Sequence, residues 1–266
     1  MTALTLERTQ VVPRPAHAAP PFSRLTSVEL RKMVDTRSGF WLVVSIVVLS
    51  LTATGAVIAF APREELTYDT FGAAVGVPMA VILPIIAVLS VTSEWSQRSG
   101  LSTFTLVPHR GRVIGAKAVA TLVMGVASVL VAFAVGALGN VVGAALVGID
   151  PVWDLGVQQM AAIVLAQVLA VFVGFVLGVL VRSSAGAVVG YFVYSFVLPG
   201  LSGLLASGQA WWRDVGPWVD FKWASSSLYD STMTGEQWAQ LGTSALLWLV
   251  APLVVGLVLL FRSEVK

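Results

Sequence analysis

Six long apolar stretches dominate the chain, at about 39–60, 71–92, 113–138, 157–181, 185–205 and 243–261. None holds an acidic residue, and Lys117 is the one basic residue inside them. Each is close to the roughly 20 residues that a helix needs to cross a bilayer. In hydrocarbon a single segment satisfies its backbone groups only as a helix. The fourth and fifth stretches are separated by Arg182, Ser183 and Ser184. Together they are too long for one crossing, so they form a tight helical hairpin. The pattern predicts an all-α membrane protein with six transmembrane helices. Lys117 falls one turn into the third, where its alkyl stem is expected to snorkel to the surface.

The intervening segments are patterned differently. Residues 1–22 are polar, broken by Pro13, Pro15, Pro20 and Pro21, and read as a disordered tail rather than a signal peptide, because the first long apolar run starts near Gly39. Residues 23–37 read as an interfacial helix, with Leu30, Met33 and Val34 sharing an arc with Phe22. Thr26 and Glu29 have the spacing of a capping box. Ser93 to Arg112 mixes Glu94, hydroxyls, the apolar Leu101, Phe104 and Leu106, and basic residues. That mixture predicts a short helix lying on the membrane face. Residues 206–242 carry Trp211, Trp212, Trp218, Trp223 and Trp238, and tryptophan favours the membrane interface.

Composition sharpens the class. Hydrophobic residues make up 57% of the 266 and charged residues only 11%, against about 25% charged in soluble domains. Mean hydropathy is +0.87. A soluble enzyme and a disordered chain are both excluded on this balance. The formal net charge of +2 gives no argument for nucleic acid. Its distribution is more telling: 13 of the 16 basic residues fall in the N-terminal segment, the loop after the second span with Lys117 just beyond it, the Arg182 turn and the C-terminus. The opposite side holds Arg63, Arg213 and Lys222, together with nine of the 14 acidic residues. The positive-inside rule then places both termini in the cytoplasm.

Candidate chemistry is sparse. There are no cysteines, and the two histidines, His17 and His109, lie outside the spans. No acidic cluster has metal-ligand spacing. No lysine follows a glycine, so GxxxxGK[ST] is absent and no nucleotide site is encoded. No catalytic residue and no metal are expected. The spans lack the ionisable groups that couple proton or sodium gradients. Glycine pairs four apart, such as Gly72/Gly76, Gly139/Gly143, Gly174/Gly178 and Gly186/Gly190, suit close helix packing within the bundle.

Two segments bring a family into view. Val28–Trp41 (VELRKMVDTRSGFW) resembles the N-terminal interfacial helix and first span of ABC-2 type transporter permeases. Ser93–Lys117 resembles their first cytoplasmic loop in the order Glu94, Arg98, Ser102/Thr103, Leu106, Pro108, Arg110/Arg112, Lys117. The six-span layout with a long outer segment agrees, and the likeness covers residues 23–266. The resemblance implies a half-transporter in the plasma membrane, paired with a second copy or a homologous permease. Separate ABC ATPase subunits would carry ATP and Mg. Membrane lipid is the surrounding partner, and no cofactor is held by this chain. Glu94, Arg98, Leu101, Phe104 and Leu106 would belong to the coupling element. The cargo would be drug-like or lipophilic.

The resemblance also implies that spans two and five line a central cleft. Pro78 and Pro84 are expected to disturb span two. On span five, Tyr191, Tyr194, Ser195 and Leu198 recur at helical spacing. Pro78 and these four residues form the candidate substrate pathway, and Pro199 and Gly200 are expected to break the helix beyond it. The alternative reading is a non-transporting scaffold or immunity subunit that binds a peptide or lipid at its outer face; an ion-coupled carrier is a third.

Overall fold

The computed structural model describes residues 20–96, 110–230 and 232–262. Its helices are α1 (Phe22–Asp35), α2 (Arg37–Phe60), α3 (Tyr68–Ser96), α4 (Arg110–Val147), α5 (Val157–Val181), α6 (Ser184–Gly208), α7 (Ala210–Val219), α8 (Phe221–Ser226) and α9 (Gly235–Arg262). Six of them, α2 to α6 and α9, are long and apolar enough to cross a membrane. The chain is an all-α, multi-pass membrane protein.

Helix α3 is the axis of the bundle. Phe71, Val75, Val88 and Val91 on it are fully buried, and Met79, Ile82 and Ile86 nearly so. It packs against α2, α4, α5 and α6. Two glycine pairs allow its closest approaches. A Cβ on Gly174 of α5 would lie 2.2 Å from the Pro84 carbonyl oxygen, and one on Gly178 would lie 3.0 Å from Val91. On α4, Gly139 and Gly143 receive the Phe71 ring, where an added Cβ would lie 2.8 and 2.7 Å from it. These pairs serve packing within the chain.

Prolines shape the helices without ending them. α3 runs unbroken through Pro78 and Pro84. Proline has no N–H, so Pro84 leaves the carbonyl four residues earlier, Ala80, without its helical donor. The Tyr191 hydroxyl donates to that oxygen at 2.8 Å. Pro199 does not break α6, contrary to the expectation. The helix widens into one π turn at Val193–Val197 and then continues to Gly208. α9 does the same at Leu246–Val250, just before Pro252. A π turn re-pairs carbonyls that a downstream proline leaves without a donor.

Several boundaries lie beyond those read from hydropathy. α4 continues past residue 138 to Val147, because residues 139–147 contain no proline and the helix ends only where Gly148 takes φ +73. α9 begins at Gly235, eight residues before the apolar run, where Thr234 and Gln237 form a true capping box. The box expected at Thr26 and Glu29 does not form. α1 starts earlier, at Phe22 behind Pro21; the Thr26 hydroxyl donates to the Phe22 carbonyl, and Glu29 is buried.

The segment between α6 and α9 is built rather than loose. Trp212 Nε1 donates to Ser202 Oγ at 3.0 Å, tying α7 to α6. Trp248 Nε1 donates to the Val219 carbonyl at 2.7 Å, tying α9 to the end of α7. Asp220 caps α8 by accepting from the amides of Lys222 and Trp223. Replacing Trp248 with phenylalanine removes that donor and is expected to lower stability by about 1 kcal/mol, read as a lower thermal midpoint of the detergent-solubilised protein.

Candidate functional site

Two regions gather polar side chains inside the bundle. The first lies at the end where α1 docks, α3 stops and α4 starts. α1 is seated by several contacts. Arg112 of α4 donates to the Pro20 carbonyl at 2.8 Å. The Phe22 ring lies over Gly115, where an added Cβ would lie 3.7 Å from it. Met33 enters the core. Glu29, one turn before Met33, shares its face and is 4% exposed.

Opposite Glu29 stands Lys117, which is fully buried. The expected snorkelling does not occur, because acceptors meet the ammonium where it sits. Its Nζ donates to Glu29 Oε2 and to the Ser90 carbonyl, the latter at 2.8 Å. Glu94 Oε1 lies 3.3 Å from it. Lys117 thus makes two hydrogen bonds and one further ion pair, with Glu94 held by charge alone. Lys32 completes the group, 2.7 Å from Glu29 Oε1 and 4.0 Å from Glu94 Oε1. Two carboxylates and two ammoniums form a neutral cluster. Only Lys32 is partly open to solvent, its side chain 41% exposed. Burying such charges is tolerable only when each is paired and hydrogen-bonded. Glu94 is the least satisfied member: neither of its oxygens accepts a hydrogen bond among the described residues. A further link nearby joins Thr92 Oγ1 to Ser184 Oγ at 2.8 Å, tying α3 to the start of α6.

Of the five residues expected in the coupling element, the structure describes Glu94 and places it in this cluster. Arg98, Leu101, Phe104 and Leu106 lie outside the described residues. Hydropathy and loop composition gave no notice of Glu29 or of the buried role of Lys117. The available signal was the position of Glu29, a carboxylate one turn before Met33 on the apolar side of an amphipathic helix.

The second region lies towards the opposite end. Tyr191, Tyr194 and Ser195 line a cavity of about 50 Å³ with Lys222 and Ser225 of α8 and Tyr229 beyond it. Tyr191 is 3% exposed and Tyr194 8%, and the Tyr194 ring sits 5.5 Å from that of Trp248. This face therefore looks into the chain, where α8 covers it. Leu198 is half-buried against the core, and Pro78 is buried in α3; neither lines this cavity. For the Lys222 ammonium, desolvation lowers the pKa below the ordinary lysine value, and the neighbouring Asp220 carboxylate opposes that shift.

A larger cavity of about 200 Å³ adjoins the first, with Tyr229 and Ala80 common to both. It lies between α3, α4 and α5. Asp69 stands at one end and Gln167 deep inside. No group of acidic residues or histidines among the described residues is arranged to hold a metal ion. No protein-family model and no curated protein sequence matches the chain.

Proposed function

We propose that this chain is the permease subunit of an ATP-driven exporter of the ABC-2 type. It works in the plasma membrane as a pair, with a second copy or a homologous permease. Separate ATPase subunits bind ATP and Mg and supply the energy. The cargo is drug-like or lipophilic. Both termini and residues 93–112 face the cytoplasm, and residues 206–242 face outside.

The observation that carries this reading is the charged cluster at the α1 end. Glu94 sits on the last turn of α3 before residues 97–109, and Lys117 lies two turns into α4 after them. Both meet Glu29 or its partner Lys32 on α1. A displacement of the connecting segment is thereby delivered to three helices at once. That suits a chain driven from its cytoplasmic face by a partner. The sequence likeness of Ser93–Lys117 to the coupling loop of these permeases supports the same role. Among the described residues the buried charges all belong to this cluster, whereas an ion-coupled carrier needs them along a mid-membrane path.

Co-purification tests the reading. Tagged protein extracted from its native membrane should bring down an ATPase chain, and the pair should show ATP-dependent efflux. Purification alone, with no ATP-dependent transport, overturns it. Phe104→Ala should reduce ATPase retention and transport while leaving membrane insertion intact; unchanged transport removes Phe104 from the coupling element. Orientation is checked separately on this cysteine-free background. A cysteine at Ser225 should react with an impermeant maleimide in intact cells, and reaction only after lysis would reverse the assigned sides.

A further inference from the structure

We propose that the cavity between α3, α4 and α5 is a binding site for a monocationic amphiphile, with the cationic head at Asp69 and Asp154 and the apolar body lying along α3 towards Gln167.

The shape comes from small residues. Gly72, Ala73, Gly76 and Ala80 form the α3 wall. A Cβ on Gly76 would meet nothing within 4 Å, and one on Gly72 would first meet Leu155 at 3.9 Å. Along α3, Asp69 to Ala80 spans roughly 16 Å at the helical rise. The space is therefore long and narrow, and it suits a slender body more than a compact one. Met79, Val129 and Ile163 make its sides apolar.

Charge selects the head group. The Asp69 carboxylate stands at one end of the cavity. Asp154 is beside it, with its Oδ1 accepting from the Asp69 amide at 2.9 Å. Neither makes an ion pair with any described residue. Two carboxylates side by side without a cation repel each other and favour a positive guest.

The deep end offers a second independent feature. Gln167 is 5% exposed. Its amide nitrogen makes one long contact, 3.5 Å to the Met79 carbonyl. Among the described lining residues Gln167 is a polar side chain at this end, set amid apolar neighbours. A hydroxyl or amide at the far end of the guest would hydrogen-bond to it.

This inference names a ligand class for the proposed exporter subunit, but binding needs no ATPase. Failure of one reading is thus separable from failure of the other. The test uses the full chain in nanodiscs of zwitterionic lipid and three photoreactive probes with the same benzophenone-bearing alkyl body. Their heads are trimethylammonium, hydroxyl and sulfate. The ammonium probe should label saturably, on peptides containing Met79 and Ile163. The hydroxyl probe should bind about tenfold more weakly, the loss expected when a charge-assisted contact is removed. The sulfate probe should bind more weakly still. Gly76→Leu should abolish labelling by filling the cavity. Asp69→Asn with Asp154→Asn should weaken the ammonium probe about tenfold and leave the hydroxyl probe unchanged. Equal labelling by all three probes overturns the proposal, as does labelling that persists in Gly76→Leu. Absence of labelling, with Val77→Cys forming disulfide-linked dimers, would instead make the groove a contact between copies and also overturn it.

Discussion

Replacing Lys117 with alanine will destabilise the protein by about 3–5 kcal/mol, the cost of leaving buried carboxylates without their cation. Three groups lose a partner together: the Ser90 carbonyl, Glu94, which keeps only the distant Lys32, and Glu29, which keeps Lys32. The measurement is thermal unfolding in a mild detergent, followed by tryptophan fluorescence. A companion variant separates charge from packing. Lys117→Met combined with Glu29→Gln and Glu94→Gln removes the buried charges together and keeps much of the volume. Its stability should return most of the way towards wild type, because a buried ion pair replaced as a unit is often near neutral. If Lys117→Ala unfolds at the wild-type temperature, the ammonium is not held as described. If the triple variant is stable yet transport-dead, the charges serve motion and not only cohesion.

Gly174→Ala will cost about 1–3 kcal/mol, the usual range for overpacking. The new methyl would lie 2.2 Å from the Pro84 carbonyl oxygen. That atom belongs to the backbone of α3 and has no rotamer to escape into, so α3 and α5 must part. The same change at Gly190, where a Cβ meets nothing within 4 Å, should be neutral or stabilising by up to about 1 kcal/mol, from helix propensity alone. The pair of variants compares close approach with propensity at equal chemistry. Equal midpoints for the two would mean that the helices do not touch at Gly174.

Hydropathy made the six spans and the all-α class legible, because a bilayer admits few other solutions for long apolar runs. Span ends were less legible, since apolarity fades before hydrogen bonding does. The last turns of α4 and the first turns of α9 continue on helix-compatible residues outside the apolar core of each span. Glu94 fell two residues beyond the apparent end of span two and so escaped being seen as buried. The charged cluster joins residues from three separate segments, and no local pattern reports a pairing 88 residues apart. Tyr191, Tyr194 and Ser195, set on one face by helical spacing, line one small cavity. Leu198 was grouped with them by helical spacing, but the π turn at Val193–Val197 adds a residue to that turn. Positions beyond it are rotated from an ideal wheel by roughly 100°.

Burial of Lys117 against Glu29 also fixes an order of events while the chain is being made. Glu94 and Lys117 emerge close together, so the third span can enter the bilayer with its lysine already neutralised by the carboxylate of the second. Glu29 waits: at about 5–20 residues per second, the 88 residues that separate it from Lys117 take roughly 4–18 s to synthesise. Over that interval α1 lacks its contacts on α4, and Glu29 has only Lys32 of its own helix for a cation. The helix made first is therefore installed late, and its docking marks the completion of the α1–α3–α4 corner during biogenesis.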